Sequence, residues 1–545
     1  MKKPLLLFSL LTAALYSVAQ VQYTPGPELD NDRDAKLNRM IGGDENSFFT
    51  YRIRTKGRGT SFIIEKYDSK KLQPQFSKEI NMEGDEKSPK IENILYCKGT
   101  IYVFRRNYDK QADQMTLTYQ TISGDGAMST KQVPLTSANS DHYEFVDYDI
   151  YQNPSKTKFL VKCSHKPNRE GDFTTDFMAF DPAAGMKKLW TKTTAQQLTS
   201  GTQSTYFRFM NFGGRTKKDM SLVGLEYDDQ DNVYYCFTEE AEGSGREKHY
   251  QLFLGTLPAA DEKPRRVELH FDDEYSINDI AFSRGPANEL VVAGYVKDVI
   301  ERRGRDLVKV GFFSYKVDLA SNTVSAKAIT FFDDQMLKAL ESSPRRSRYF
   351  KYKLDYIFNI GSDVYYVGEQ YNEEIVTRSS STGLTTSTYF NYEYMDVIVT
   401  KMNASGKFEW IKNVPLRNEV KLPYGHVFKQ YIAVPTDKSL YILCDDHPKN
   451  IERYEKENYE PSDLKTVSGI HGSNFVANQV DLAKGTIKRS VVFENEKYCF
   501  APIQERDFNF LPPSSWEIFV PIKKNEIIIY TEDRGRDQFG RIVFK

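Results

Sequence analysis

One short, almost uninterrupted apolar pattern recurs along the chain: FFTYRIR from residue 48, IYVFRRN from 101, FLVKCSH from 159, VYYCFTE from 233, LVVAGYV from 290, VYYVGEQ from 364, LYILCDD from 440 and IIIYTED from 527. Runs this brief, rich in β-branched and aromatic residues, predict strands. After each comes a polar stretch of variable length and then a run in which apolar and polar residues alternate, from SFIIEKYD and MTLTYQTIS to DVIVTKMN, NFVANQVD and finally RIVFK. Tight polar turns such as SGDG, DPAAG, NASG and DLAKG close these runs, supplying the Gly, Asp and Asn that tolerate positive φ in hairpins. A further run returns after each turn, as in MKKLWTKT, VSAKAITF and FEWIKNVPL. Another precedes each first motif, as in KIENILY, KLDYIFNI and WEIFVPI.

Four meandering strands per unit, repeated eight times, predict an all-β chain: a single eight-bladed β-propeller of four-stranded antiparallel blades, with seven blades as the alternative. The last unit runs out after its third strand, because the chain ends at GRIVFK, residues 540–545. An uncovered apolar edge invites aggregation. The segment VQYTPGPEL, residues 21–29, is a spare extended piece ahead of the first unit, and it is expected to pair with 540–545 as the missing outer strand. Pro25 and Pro27 suit an outermost strand, one side of which faces water and needs no donor.

The first motifs lie 53 to 87 residues apart, more than the ~40–45 of a regular blade. The surplus falls between second and third strands in the later units, above all at 371–394 and 445–473, and between units at 195–218, 332–351 and 494–514. In an up-and-down blade these connections emerge on one face of the disc. Binding groups are expected there, on loops held by a rigid scaffold.

The first 19 residues combine Lys2 and Lys3, an apolar run and small residues at 17 and 19, which predicts a secretory signal peptide cut after Ala19, leaving a propeller domain over 20–545. Later segments fall short of the ~20 apolar residues of a spanning helix. The expected location is the periplasm, the outer-membrane surface or the outside of the cell. Loss of the two leader lysines takes the formal net charge from -1 to about -3, with 27% of residues charged. That balance argues against nucleic acid as a partner. Aromatics make up 13%, as 35 Tyr, 35 Phe and 3 Trp, which favours strands. The five cysteines, 97, 163, 236, 444 and 499, are widely spaced without a CxxC and read as mostly buried structural thiols.

Two units, AFDPAAGMKKLWTKT (179–193) and VTKMNASGKFEWIKNVP (399–415), resemble the repeat of pyrroloquinoline-quinone-type eight-bladed propellers, where a Trp follows the turn glycine. Here Trp190 stands five residues after Gly185 and Trp410 four after Gly406. The resemblance implies that each Trp packs between adjacent blades. The vicinal cysteines of the quinone site are absent, so no cofactor is implied. Scaffold members of that class, among them the BamB-like subunit that assists outer-membrane protein assembly, are non-enzymatic. The leader, the Gln at the cut and the Tyr- and Lys-rich strands resemble secreted propellers of Bacteroidota.

Patterns for chemistry are sparse. The seven histidines form no HExxH and no i, i+4 pair suited to a helix, and no GxSxG occurs. His447 and His471 bracket the insert at 445–473 beside Asp445 and Asp446, where solvated loop residues compete with a metal site. Asp228, Asp229 and Asp231 crowd one turn but lack the Gly and distant Glu of a calcium loop. Two loop clusters remain as candidate binding residues: Arg345, Arg346 and Arg348, after a segment expected to form a short helix, and Tyr371, Tyr389, Tyr392, Tyr394, Tyr454 and Tyr459 in the long inserts. Arg and exposed Tyr favour protein or glycan contact, with a solvated charged loop the alternative for the arginines and packing within their own inserts the alternative for the tyrosines. The expected function is a non-catalytic protein-interaction scaffold with no cofactor or metal. A secreted glycan- or peptide-acting enzyme, or a lectin, is the alternative.

Overall fold

The computed structural model describes residues 21–30, 35–56, 59–80, 90–139, 146–165, 174–194, 199–200, 221–240, 250–261, 263–271, 275–285, 288–302, 305–340, 350–379, 386–422, 430–454, 460–468, 472–495, 499–500, 519–533 and 536–545. Their strands form eight separate antiparallel meanders. Blade 1 is Ala35–Gly43, Ser47–Lys56, Gly59–Asp68 and Pro74–Ile80, and blade 2 is Lys90–Cys97, Thr100–Asp109, Gln114–Ile122 and Val133–Asn139. Blade 3 follows as Val146–Gln152, Phe159–His165, Thr174–Asp181 and Lys187–Thr194, and blade 4 as Ser221–Tyr227, Val233–Glu240, Tyr250–Leu257 and Arg265–Leu269, with Thr199–Ser200 added in parallel at its inner edge. Blade 5 comprises Ser276–Arg284, Glu289–Arg302, Arg305–Asp318 and Thr323–Phe331. Blade 6 comprises Lys351–Ile360, Asp363–Ser379, Thr386–Met402 and Phe408–Leu422, and blade 7 Tyr431–Pro435, Ser439–Asp446, Asn474–Asp481 and Ile487–Glu494. Blade 8 has Phe519–Lys523, Glu526–Asp533 and Arg536–Phe544.

Burial is greatest along the second strands and least along the outer ones. Second strands such as Phe159–His165 and Ser439–Asp446 are buried almost throughout, because strands flank them in the sheet and neighbouring blades cover both faces. Outer strands such as Lys187–Thr194 and Ile487–Glu494 are largely exposed. Apolar clusters fill every junction around the ring: blades 1 and 2 share Tyr51, Ile94 and Val103, and blades 5 and 6 share Tyr295, Phe312 and Tyr366. One cluster joins Leu443 of blade 7, Ile528 of blade 8 and Phe48 of blade 1, so the circle of contacts closes. The architecture is therefore an eight-bladed β-propeller, as the repeats predict.

The closing strand is Val21–Pro25. It pairs antiparallel with the C-terminal strand, Val21 opposite Phe544 and Pro25 opposite Gly540, and Leu29–Asp30 continues against Asp537 and Arg536. Blade 8 thus receives its outer strand from the start of the chain, and Pro27 falls between the two paired pieces. Tyr23 stacks on Phe493 of blade 7 with ring centroids 4.5 Å apart. Across the other side of the seam, Arg52 of blade 1 binds Asp537 of blade 8 at 2.6 Å and Glu65 of its own blade at 2.6 Å. The phenol of Tyr530 also donates to Asp537, at 2.6 Å. Truncating one member of so buried a group would strand the others without their charge partner, at a cost of ~3–5 kcal/mol.

The turns joining third to outer strands bear out their sequence signals. Asp481 accepts from the backbone N–H groups of Ala483 and Lys484 at 3.0 and 2.8 Å, and Gly485 adopts φ 65°. A Cβ at Gly485 would lie 2.9 Å from the indole of Trp410, so glycine is required both by the turn and by the close approach of a Trp from the preceding blade. Trp190 likewise lies against the blade 3–blade 4 cluster. Cys97, Cys163, Cys236 and Cys444 are buried free thiols. Among the described residues no helix is long and apolar enough to cross a membrane.

Candidate functional site

The inner strands surround the axis, and among the described residues each except that of blade 4, which Thr199–Ser200 joins, presents an edge with no strand beyond it. In blades 1, 2, 4, 5 and 6 that strand carries a register shift near its start, as between Ile91 and Asn93, Ile277 and Asp279, and Leu354 and Tyr356. A bulge re-aims the side chains beside it, and here polar groups reach the next blade. Asn93 Nδ2 donates to the carbonyl of Ile150 at 3.1 Å. The backbone N–H of Leu354 donates to Asp279 at 2.7 Å, and Tyr431 Oη donates to Asp355 at 2.8 Å. These side chains satisfy inner-strand groups that the blades' own ladders leave over.

The last two clamps form a charged patch near the axis between blades 5 and 7. Burial pushes the Asp279 carboxyl up to about 7 against the opposing pull of the Leu354 N–H and Lys353. Lys353 lies 3.4 Å from Asp355. Behind it, Lys297 Nζ donates to the Phe350 carbonyl at 2.6 Å, and burial, with Lys351 nearby, lowers its pKa to about 8.

Among the described residues, outward growth on the face predicted from the long connections lies over blades 5 to 7. In blade 6 the inner strand stops at Lys351 opposite Tyr371, while the second and third strands run on as Asn372–Ser379 against Thr386–Glu393. At ~3.3 Å per residue this tongue projects ~26 Å. The outer strand accompanies it to Leu422. Blade 5 makes a shorter two-stranded extension from Asp298 to Lys309. The blade 7 insert holds helix α2 (Pro448–Tyr454), and its Val467 exchanges backbone hydrogen bonds with Arg417 and Glu419 of the tongue's outer strand at 2.7 and 2.9 Å. Helix α1 (Asp334–Ala339), between blades 5 and 6, is capped by Asp333 accepting from Met336 N at 2.7 Å. Lys338 of α1 meets Glu460 of the insert at 3.1 Å, so the elaborations form one connected superstructure.

The sequence-predicted residues divide within it. Tyr371, Tyr392 and Tyr394 are buried, at 8, 0 and 1% exposure, which corrects their reading as exposed loop groups. The segment 371–394 is mainly strand, and these rings pack with Leu416 and Ile451 between blades 6 and 7. Tyr389 is half-buried near the tongue's tip. Tyr454 is also half-buried, with the Arg489 guanidinium 3.6 Å over its ring. Arg345, Arg346, Arg348 and Tyr459 lie outside the described residues, whereas the short helix expected before the arginines is α1.

The acids beside His447 are engaged elsewhere. Asp446 pairs with Arg489 and accepts from Asn450 at 2.8 Å, while Asp445 accepts from Asn495 at 2.6 Å. His471 lies outside the described residues, and among those described no group of three or more His, Cys, Asp and Glu is placed to hold a metal. In the 228–231 turn, Asp228 binds Arg284 of blade 5, Asp229 accepts from Asn153 of blade 3 at 2.7 Å, and Asp231 binds Lys158 at 2.6 Å. These carboxylates tie three blades together rather than converge. Sequence reasoning missed Asp279 and Asp355, because the bulge beside each breaks the two-residue period that would have placed its side chain, and Lys297, which follows the apolar run of a second strand.

No protein-family model and no curated protein matches the chain. Solved structures overlap loosely. The quinohemoprotein alcohol dehydrogenase ADHIIG from Pseudomonas putida HK5 is 9% identical, with TM-score 0.41 over 96% of this chain and 76% of that one. The polysaccharide lyase Uly1 is 12% identical, with TM-score 0.39 over 82% and 90%. The WD40 domain of SCAP from fission yeast is 8% identical, with TM-score 0.33 over 96% and 98%. The fold assignment rests on the eight sheets themselves.

Proposed function

We propose that this propeller is a non-catalytic binding scaffold of the bacterial envelope or the secreted compartment, engaging a protein partner through the face over blades 5 to 7. The observation that carries the reading is the concentration there of the tongue, the α2 insert and α1, tied to one another by backbone hydrogen bonds and an ion pair. A rigid ring that carries such a superstructure on one face is suited to presenting a surface. The leader-like first 19 residues support export. Affinity purification of the tagged full-length protein from native envelopes tests this: a stoichiometric partner is expected, and recovery of none would overturn the scaffold reading.

A glycan- or peptide-acting enzyme is the second reading, favoured by Asp279, whose carboxyl pKa is raised by burial to about 7, beside the axis and one blade from Asp355. It requires turnover of a glycan or peptide panel that disappears in Asp279→Asn.

A further inference from the structure

Among the described residues, the tongue of blade 6 has one sheet edge without a neighbouring strand. Beyond Tyr371, among the described residues, Asn372–Ser379 pairs with Thr386–Glu393 on one side and with no strand on the other. Along such an edge alternate N–H and C=O groups point outward, ready to pair with a further strand. The edge is eight residues long, enough for an added segment of ordinary strand length.

The two faces beside this edge differ in chemistry. Cross-strand rows put Glu373, Tyr392 and Val420 on one face, followed by Ile375 and Phe390. Its base is packed against blade 7, but Ile375 is 52% exposed. The other exposed large hydrophobics among the described residues, Val133, Leu189, Val324, Ile487 and Val491, all sit on outer strands. On the opposite face the rows are Asn372, Glu393 and Glu419, then Glu374, Asn391 and Lys421. In these two rows three carboxylates face one ammonium, with Glu374 and Glu393 exposed, and the row of Val376 and Tyr389 follows on the same face.

We propose that this edge binds an extended polypeptide by strand addition, and that the bound segment alternates basic and apolar residues. The inference rests on the scaffold reading and names the chemistry of its partner. An added strand directs successive side chains to opposite faces of the sheet. One set would therefore lie beside Ile375 and Phe390, and the other beside the carboxylates of Glu374, Glu393 and Glu419. Main-chain pairing supplies affinity and the alternating side chains supply selectivity.

The test uses the full-length protein and a capped, labelled octapeptide alternating Lys and Val. Controls are an alternating Glu–Val peptide and a block peptide with the Lys–Val composition. Two further probes are N-methylated, one at every Lys and the other at every Val. The alternating Lys–Val peptide is expected to bind, more weakly as salt rises, and to exceed both controls by about tenfold or more. Ile375→Lys and the double variant Glu374→Lys/Glu393→Lys alter exposed side chains. Each is expected to keep the native melting temperature while weakening binding by about tenfold. The N–H groups of alternate residues share one edge of a strand, so one methylation pattern should abolish binding and the other preserve it.

Equal binding of both methylated peptides, or unchanged binding to the tongue variants, would overturn strand addition. If those variants still capture an envelope partner while the peptide results fail, the scaffold reading stands and the edge proposal falls. Peptide binding as described, with no partner captured, would reverse that outcome.

Discussion

Asp445 is the penultimate residue of the second strand of blade 7, its carboxyl buried and receiving a hydrogen bond from Asn495 Nδ2 at 2.6 Å. Desolvation pushes its pKa up to about 8; the Asn495 bond opposes the rise, and the negative charge of Asp446 adds to it. An unfolded aspartate releases its proton near ~3.9. Between that value and about 8 the folded state therefore holds a proton that the unfolded state has lost, so stability from this group is complete below the lower value and drains away as pH rises to the upper. Asp279 and Glu226, both raised to about 7 by burial, act in the same direction over a narrower window. Asp445→Asn keeps an oxygen for Asn495 and removes the ionisation. Its melting temperature relative to the native protein should climb between about pH 4 and pH 8 and then level off, reaching an advantage of a few kcal/mol. A difference that stays flat across that range in parallel melting curves would show that Asp445 ionises in the folded blade at much the same pH as in the unfolded chain.

The closing strand concentrates its constraints in a few places. A Cβ on Gly540 would lie 2.2 Å from the Tyr23 ring, so that ring lies across the C-terminal strand where a side chain would otherwise stand. Gly540→Ala should displace Tyr23 from Phe493 and cost about 1–3 kcal/mol. In a Tyr23→Ala background the same substitution should cost much less, and a denaturant-based double-mutant cycle measures the difference. This seam was legible in sequence because the eighth unit shows three strand patterns where the others show four, while 21–29 was extended and proline-bearing. The middle strands were legible for a related reason: burial between two sheet neighbours and two blades demands uninterrupted apolar runs such as VYYVGEQ. The tongue was less legible. Asn372–Ser379 mixes Glu, Asn and Thr with Ile and Val because much of it faces water, and that composition reads as loop. Tyr392 and Tyr394 are buried because the blade 7 insert packs against that face, a contact between segments that periodicity along one of them does not encode. The inner-strand acids were hidden for another reason: each bulge breaks the two-residue period where the side chain is re-aimed.

At the scale of the ring, each blade is stabilised by its two neighbours, as in a linear repeat array whose ends have been joined. Joining removes the ends, and with them the sites where fraying would begin. The four described thiols lie in blades 2, 3, 4 and 7, as Cys97, Cys163, Cys236 and Cys444, all buried, with burial the first cause of their raised pKa values. With Cys499 replaced by serine, they can report where the circle opens. In the closed ring, breaking any one interface leaves the other seven holding both flanking blades, so exposure of each thiol requires much the same global opening. All four should react with a thiol reagent at one slow, common rate under native conditions. Deleting residues 20–30 removes the outer strand of blade 8 and uncovers the edge of Arg536–Phe544, lowering the melting temperature and promoting aggregation. It also turns the circle into a line with blades 1 and 8 near its ends. Cys444 in blade 7 and Cys97 in blade 2 should then label ahead of Cys163 and Cys236, which lie farther from the opened seam. Mass-spectrometric labelling of each cysteine against time resolves the order. A common rate in both proteins would mean that the N-terminal strand adds stability without closing the circle, because a true latch must change the order of opening as well as its rate.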